Sequence, residues 1–253
     1  MENVTVVEST RGFTTYTGLH QGTPVSIIAT GMGTAMIDFV IRETRAIVDG
    51  EMAIFRFGTC GGLGKTEAGA IVVAADSVLL RREPAAFHGG EGEPFSISQA
   101  IAANTDACAK YEAALQQHIG AVARSAGAGA GGAYPVTRGT DVTCDSFYSS
   151  QGRVVDSFDD KNDGLLSRVE CDVPTAACAQ METFQLFDLA LCAKPGIKAA
   201  AAALSMSNRA DSSMVDMADF SALEMAGCRA ALDALVATPL QDCMGGAHCV
   251  WEK

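Results

Sequence analysis

No stretch of this chain reaches the roughly 18 uninterrupted apolar residues that a membrane-crossing helix needs. The longest alanine-rich run, Ala199 to Leu204, is far shorter. The opening residues carry Glu2 and Glu8 and lack the basic and apolar segments of a secretory signal, so a cytoplasmic protein is expected, without a membrane partner. Positive charge is also scarce. Basic residues never run longer than Arg81-Arg82, and 18 Lys and Arg stand against 30 Asp and Glu, a formal net charge of −12. Nucleic-acid affinity comes largely from basic patches that displace counterions, so a nucleic-acid partner is excluded. A small anion is not, because one or two buried arginines hold it whatever the charge outside. Ligand spacing for a metal is missing too: His20, His88, His118 and His248 are scattered, and no two of the nine cysteines form C-x-x-C. The odd cysteine count reads as buried reduced thiols, with neither a disulfide frame nor a zinc site.

What the chain does have is apolar residues, 48% of 253, enough to pack one large core or two small ones. Val4 to Glu8, Phe13 to Leu19 and Pro24 to Thr30 are β-branched or aromatic runs, punctuated by Arg11-Gly12 and His20-Gln21-Gly22. They predict successive strands with a hairpin at Gly22. Ala35, Met36, Phe39, Val40, Thr44 and Ile47 then recur at helical spacing. A buried strand follows from Met52 to Phe57, ending in a glycine-rich turn from Gly58 to Gly64. Further strands are expected at Ile71 to Leu80 and Ala199 to Met206, and helices at Asn104 to Ile119, Leu186 to Lys194 and Met217 to Val236. Strands alternating with helices indicate an α/β domain around a parallel or mixed sheet. Ala126 to Ala133 reads as a low-complexity surface loop, and the polar stretch from Phe158 to Pro174 as a lid or insertion.

Arg56 lies in the middle of an otherwise apolar strand, three residues before Thr59 and a cluster of glycines. A buried guanidinium must meet an anion. Either a bound anion supplies it, helped by backbone N–H groups of the glycine segment, or a carboxylate such as Asp38 or Glu43 does. The glycine segment is not a nucleotide-binding P-loop, because the first glycine required by the Gly64-Lys65-Thr66 register would fall at Thr59.

Taken together, Ala29-Thr30-Gly31-Met32-Gly33 and Phe55-Arg56-Phe57-Gly58-Thr59-Cys60-Gly61-Gly62 resemble the two glycine signatures of the nucleoside phosphorylase-I family, in its uridine phosphorylase branch. Downstream, Asp145-Ser146-Phe147-Tyr148-Ser149-Ser150-Gln151-Gly152-Arg153 resembles that family's D-[ST]-F-Y-x-x-Q-x-R base-binding loop. Gln180-Met181-Glu182-Thr183 resembles its E-M-E-[SA] ribose segment, and Ser207-Asn208-Arg209 its strand-end N-R. The likeness runs in order from about Val4 to Val236.

The resemblance implies a single nucleoside phosphorylase domain over 1–253, three-layered α/β/α with a mixed, partly barrel-like central sheet. It implies phosphorolysis of a pyrimidine nucleoside such as uridine, with inorganic phosphate as co-substrate and neither cofactor nor metal. Arg56, Thr59 and Gly31 would hold phosphate, and Arg11 would reach it from a neighbouring subunit of a homodimer or an oligomer of dimers. Met181, Glu182 and Thr59 would hold the ribose. Phe147 would stack on the base, while Gln151, Arg153 and Arg209 would read its carbonyls and imide. Asn208-Arg209, with Asp211 two residues further on, favours a pyrimidine over the purine that a relative with an aspartate after this strand would protonate. Three departures are notable: no G-D-P-x-R loop precedes Val4, Gln180 replaces the first acid of E-M-E, and Ser149-Ser150 replaces Pro-Gly, which is expected to loosen the base loop. The absent loop leaves a shortened chain or lost activity as expectations. Beside the pyrimidine enzyme therefore stand a purine nucleoside phosphorylase or nucleosidase of the same fold and a non-catalytic nucleoside-binding relative.

Overall fold

The computed structural model describes residues 1–125 and 132–240. The β-branched runs at the N-terminus form a separate antiparallel sheet of β1 (Glu2–Glu8), β2 (Thr14–His20) and β3 (Thr23–Ala29), in the order β1-β2-β3. Gln21 and Gly22 both take positive φ at the β2–β3 hairpin, the turn whose twist matches that of the flanking strands.

A glycine at φ +100, Gly33, then starts helix α1 (Thr34–Ile47), which buries Ile37 and Ile41. The second sheet contains β4 (Met52–Gly62), β5 (Ile71–Arg82), β6 (Phe95–Ile97), β7 (Ile101–Ala102), β8 (Val136–Cys144), β9 (Ala176–Gln180) and β10 (Ile197–Asn208). Its helices are α2 (Pro84–Phe87), α3 (Thr105–Gly120), α4 (Leu165–Asp172), α5 (Thr183–Cys192) and α6 (Met217–Val236).

Strand β10 pairs with β4, and the path continues through β9, β8 and β5 until β5 pairs back onto β10. The ring is mixed. β10–β4, β9–β8 and β8–β5 are parallel, whereas β4–β9 and β5–β10 are antiparallel. The expected α/β architecture with a partly barrel-like sheet is therefore present. Small residues let the ring close: Ala199 to Ala203 on β10 are almost wholly buried, as in strands covered on both faces.

Two segments differ from expectation. The glycine-rich stretch after Phe57 is strand, since Gly58 to Gly62 continue the ladder to β10 and Gly61 and Gly62 also pair with β9. Its glycines serve close approach. A Cβ on Gly62 would stand 2.6 Å from the Thr66 carbonyl oxygen, and one on Gly61 2.9 Å from the Arg209 Cδ. The stretch from Phe158 to Pro174 is no free lid, because its second half is α4, anchored by buried Leu165 and Val169 against Val78, Leu80 and Val142. Of the cysteines, Cys60, Cys108, Cys144 and Cys178 are buried free thiols as expected, but Cys171, Cys192 and Cys228 are exposed. These three sit on helices, each of which buries only one side. The expected loop at Ala126 to Ala133 lies outside the described residues except for Gly132 and Ala133, as do Cys243, Cys249 and His248. Among the described residues no helix is long and apolar enough to cross a membrane, and no cluster of side chains is arranged to hold a metal ion.

Helix α6 lies so close to β4 that a Cβ on Gly227 would meet the Phe57 ring at 2.0 Å. Phe57 precedes the glycine over which Arg56 folds, so this contact fixes the strand that carries the candidate site. Gly227→Ala is expected to lower the unfolding free energy by about 1–3 kcal/mol through overpacking. Urea denaturation measures the loss, and adding Phe57→Leu should recover part of it.

Candidate active site

Two glycine segments and the start of α5 converge on Arg56. Its guanidinium folds back over Gly58, where a Cβ would stand 2.7 Å from Nη2 and 3.0 Å from Cζ, so only glycine leaves room. Nη2 donates to Oε2 of Glu182 at 2.5 Å, and both side chains are largely buried. The anion expected beside Arg56 is thus a carboxylate, but neither of the two considered: Asp38 pairs with Arg42 at 2.9 Å and Glu43 with Arg11 at 3.0 Å. Nη1 of Arg56 is buried and has no hydrogen-bond partner among the described residues. One arm of the fork is therefore satisfied and the other retains a donor, which in a buried place is a cost that an incoming acceptor removes.

Glu182 opens α5 without capping it, since its carboxylate is turned elsewhere. Oε1 accepts from the Gly33 N–H at 2.7 Å, and Oε2 accepts from the Met181 N–H at 3.1 Å as well as from Arg56. Met181 lies next to the same loop, with its Cε 4.0 Å from where a Gly33 Cβ would be. Gly31 at φ +71 and Thr59 are both exposed nearby in sequence to these contacts.

A second group forms around the loop after β8. Arg153 places its guanidinium 4.1 Å from the Phe147 ring centroid and donates from Nε to the Phe147 carbonyl at 3.0 Å. Phe147 is 41% exposed, and Tyr148 packs against the same ring at 5.2 Å in a T-shaped arrangement. Arg209 reaches the loop from the end of β10: Nη2 donates to the carbonyl of buried Gln151 at 2.7 Å. Burial pulls both guanidinium groups below the usual arginine range, and Arg153's charge adds to the shift on Arg209. Two neighbouring cations thus face each other, and among the described residues neither forms a salt bridge. Such a pair favours carbonyl oxygens or a developing negative charge.

Of Ser149 and Ser150 in this loop one is tied in and one is not: among the described residues the buried Ser149 Oγ has no hydrogen-bond partner. Ser150 donates its hydroxyl to Asp145, and Asn162 Nδ2 donates to the Ser149 and Arg153 carbonyls at 2.9 and 3.1 Å. Asn208 has a different place from the one expected. Its Nδ2 donates to the Gly64 and Thr66 carbonyls and its Oδ1 accepts from the Ala210 and Asp211 N–H groups, so it knits two turns together and has no amide edge left for a base. Arg11 is not beside Arg56 of its own chain. It lies 4.5 Å from the Phe39 ring centroid on the outer side of α1. The sequence reading missed the Gly33 N–H and also Asp141, a 1% exposed carboxylate in β8. Unlike Arg56, Asp141 stands among threonines and an arginine in sequence, so no apolar run marks it.

The structure thus presents two groups: a buried guanidinium with a spare donor and a carboxylate fixed to it, and a second set of two arginines beside a partly exposed aromatic ring. The model of the phosphorylase superfamily matches residues 1–237. A structure from work on two uridine phosphorylases of the oomycete Phytophthora capsici is 38% identical, with a TM-score of 0.89, covering 94% of this chain and 83% of that one. A Trypanosoma brucei nucleoside phosphorylase with uridine phosphorylase activity shares the fold at 20% identity and a TM-score of 0.69, covering 94% of this chain and 88% of its own. No curated protein sequence matches. This chain belongs to the phosphorylase superfamily.

Breaking a buried ion pair from one side leaves a stranded charge, so Glu182→Gln should cost about 3–5 kcal/mol of stability. Adding Arg56→Met should cost less than the sum of the two single losses. A double-mutant cycle in urea measures that coupling, and additivity would mean that the pair is solvated.

Proposed function

We propose that this chain catalyses phosphorolysis of a pyrimidine nucleoside, uridine and phosphate giving uracil and ribose 1-phosphate. The observation that carries this reading is the unpartnered Nη1 of Arg56 beside a carboxylate. A phosphate oxygen can accept from Nη1 while Nη2 keeps Glu182, with Thr59 and the Gly31 segment as further donors. Inorganic phosphate is the co-substrate, and the chain's own residues supply the steps described below.

Met181 packs on the ribose and Glu182 accepts from its hydroxyls. A phosphate oxygen attacks the anomeric carbon, the bond to the base nitrogen breaks, and its electron pair leaves with the base. Positive charge grows on the sugar only in the transition state, where Glu182 and phosphate are worth most. Phe147 stacks on the base. Arg153, Arg209 and Gln151 meet its carbonyls, and the two cations stabilise the departing anion until it gains a proton from water. The P. capsici likeness to uridine phosphorylases supports the pyrimidine reading.

The same reading makes the molecule a homodimer, or an oligomer of dimers, with a shared site, acting in cytoplasmic pyrimidine salvage. Two observations support a partner: Arg11 is exposed and paired with Glu43, and Val6, Tyr16 and Ile27 form an exposed apolar row across one face of the β1–β3 sheet.

The decisive experiment is turnover of uridine and inosine with and without phosphate. Uridine cleavage should require phosphate and exceed inosine cleavage, and Arg56→Ala should lose roughly 2–5 kcal/mol of transition-state stabilisation. Phosphate-independent cleavage would indicate a nucleosidase, and inosine preference would overturn the base assignment. For the shared site, inactive Arg11→Ala and inactive Arg56→Ala chains should regain activity when subunits exchange. No recovery in a demonstrated mixed oligomer would return Arg11 to its own chain.

A further inference from the structure

Among the described residues no cation is bonded to the carboxylate of Asp141, although it is 1% exposed in the middle of β8. Dipoles surround it instead. Ser77 Oγ and Thr143 Oγ1 each donate to Oδ1 at 2.7 Å, Cys178 Sγ stands 3.5 Å from Oδ2, and Gln180 Nε2 donates to both oxygens at 2.8 and 2.7 Å. Register explains the gathering: Ser77 on β5 and Cys178 on β9 are the cross-strand partners of Asp141, and Thr143 on β8 is the partner of Gln180. Burying a carboxylate this way is costly unless it organises something.

What it organises is the start of α5. Burial raises the pKa of the Asp141 carboxyl, while hydrogen bonds from Thr143, Ser77 and Gln180 favour its ionised, acceptor-only form, and Gln180 turns its amide N–H groups toward it. Its Oε1 then points the other way, where it accepts from the Met181 N–H at 2.8 Å and the Glu182 N–H at 2.7 Å. Thr143 forms a second arm. With its proton given to Asp141, its oxygen accepts from the Phe184 N–H at 2.8 Å. Three backbone N–H groups around Glu182 are thus oriented through two side chains that both bond Asp141, with Gln180 Nε2 also donating to Thr143 Oγ1 at 3.0 Å. The turn they fix is the one that aims Glu182 at Arg56 and Gly33.

We propose that Asp141 is a positioning residue for the sugar-binding carboxylate: through the amide of Gln180 it sets the turn that holds Glu182 on Arg56. The proposal rests on the reading of Glu182 as the ribose-binding group. It also accounts for Gln180, the residue that departs from the E-M-E pattern, because the acid is supplied from the neighbouring strand and the amide transmits it.

The test exchanges acid and amide. In Gln180→Glu two acceptor-only groups face each other and must share a proton, whereas in Asp141→Asn nothing dictates which way the Gln180 amide turns. In the double variant, Asp141→Asn with Gln180→Glu, the amide on β8 can donate to the carboxylate on β9. That carboxylate's oxygens still accept from the Met181 and Glu182 N–H groups, so the polarity of the turn returns. Each single variant should lower kcat/KM for uridine by about 10- to 100-fold, the scale of a small misplacement. Gln180→Glu should add a limb to the pH profile as the shared proton is lost on the alkaline side. Arg56, Cys144 and Cys178 are the other titratable groups around Asp141, and they are the same in every variant. The double variant should recover most of the rate and lose the limb. Single variants that lower only the melting temperature, or a double variant no better than the worse single, would overturn the proposal. A crystal structure of Asp141→Asn gives a readout apart from turnover: Glu182 should leave the Gly33 N–H, and finding it in place would also overturn the proposal. If the wild-type chain cleaves no nucleoside, the functional reading fails by itself and the crystal structure still decides the role of Asp141.

Discussion

A guanidinium inside a closed sheet cannot be left without an anion, and the pairing of Arg56 with Glu182 meets that constraint by joining parts distant in sequence. One comes from the middle of β4 and the other from the start of α5. The Gly33 N–H, at the start of α1, completes the contact. Each partner requires its own local geometry. Arg56 needs glycine at 58 to fold back, Glu182 needs the turn set by Gln180, and Gly33 needs a positive φ to present its N–H. A change at any of these positions disturbs the others through the pair.

Closure of the ring places these parts within reach. β10 is alanine-rich and accommodates neighbours on both edges and both faces, so β4 and β5 approach it from opposite sides. Where β4 and β10 end together, Gly61 and Gly62 leave space for the Arg209 chain and the Thr66 carbonyl. Arg209 can then bridge from the strand end to the Gln151 carbonyl on the loop after β8. The sheet thus links the arginine on β4 to the arginine pair without a residue of its own reaching across.

Much of this was legible in the sequence because periodicity and punctuation are local. The limits of α6 match the expected helix from Met217 to Val236, and the β2–β3 turn falls at Gly22. The error at Gly58 to Gly62 has a physical origin. Glycine was taken as a mark of turning, whereas here it marks close approach, and only the packed Arg56, Arg209 and Thr66 reveal the difference. Arg56 was found because a charge in an apolar strand demands an explanation, but its partner lies 126 residues away and no spacing rule names it. Asn208 failed for a related reason. A side-chain amide at a strand end looks available in sequence, yet the backbone of the two adjoining turns takes all of its hydrogen bonds. Asp141 lies in a largely polar strand sequence, and only the register between three strands reveals its burial and partners.

The hydrogen-bond capacity of Glu182 links the two halves of the proposed reaction. A carboxylate offers about four lone-pair directions. Three are in use, by Gly33 on Oε1 and by Arg56 and Met181 on Oε2, so acceptor capacity remains on Oε1. Arg56 mirrors this, with Nη2 engaged and Nη1 available. On the proposed reading a sugar hydroxyl and a phosphate oxygen can therefore both enter without breaking the pair between them. The pair then holds nucleophile and sugar in a fixed relation, and its net charge of about zero leaves the phosphate's negative charge to be felt by the sugar as the bond to the base breaks. A lone arginine would hold phosphate more tightly at rest but would offset that charge. The arrangement favours the charge that develops over the charge that is bound, which is what a rate enhancement requires.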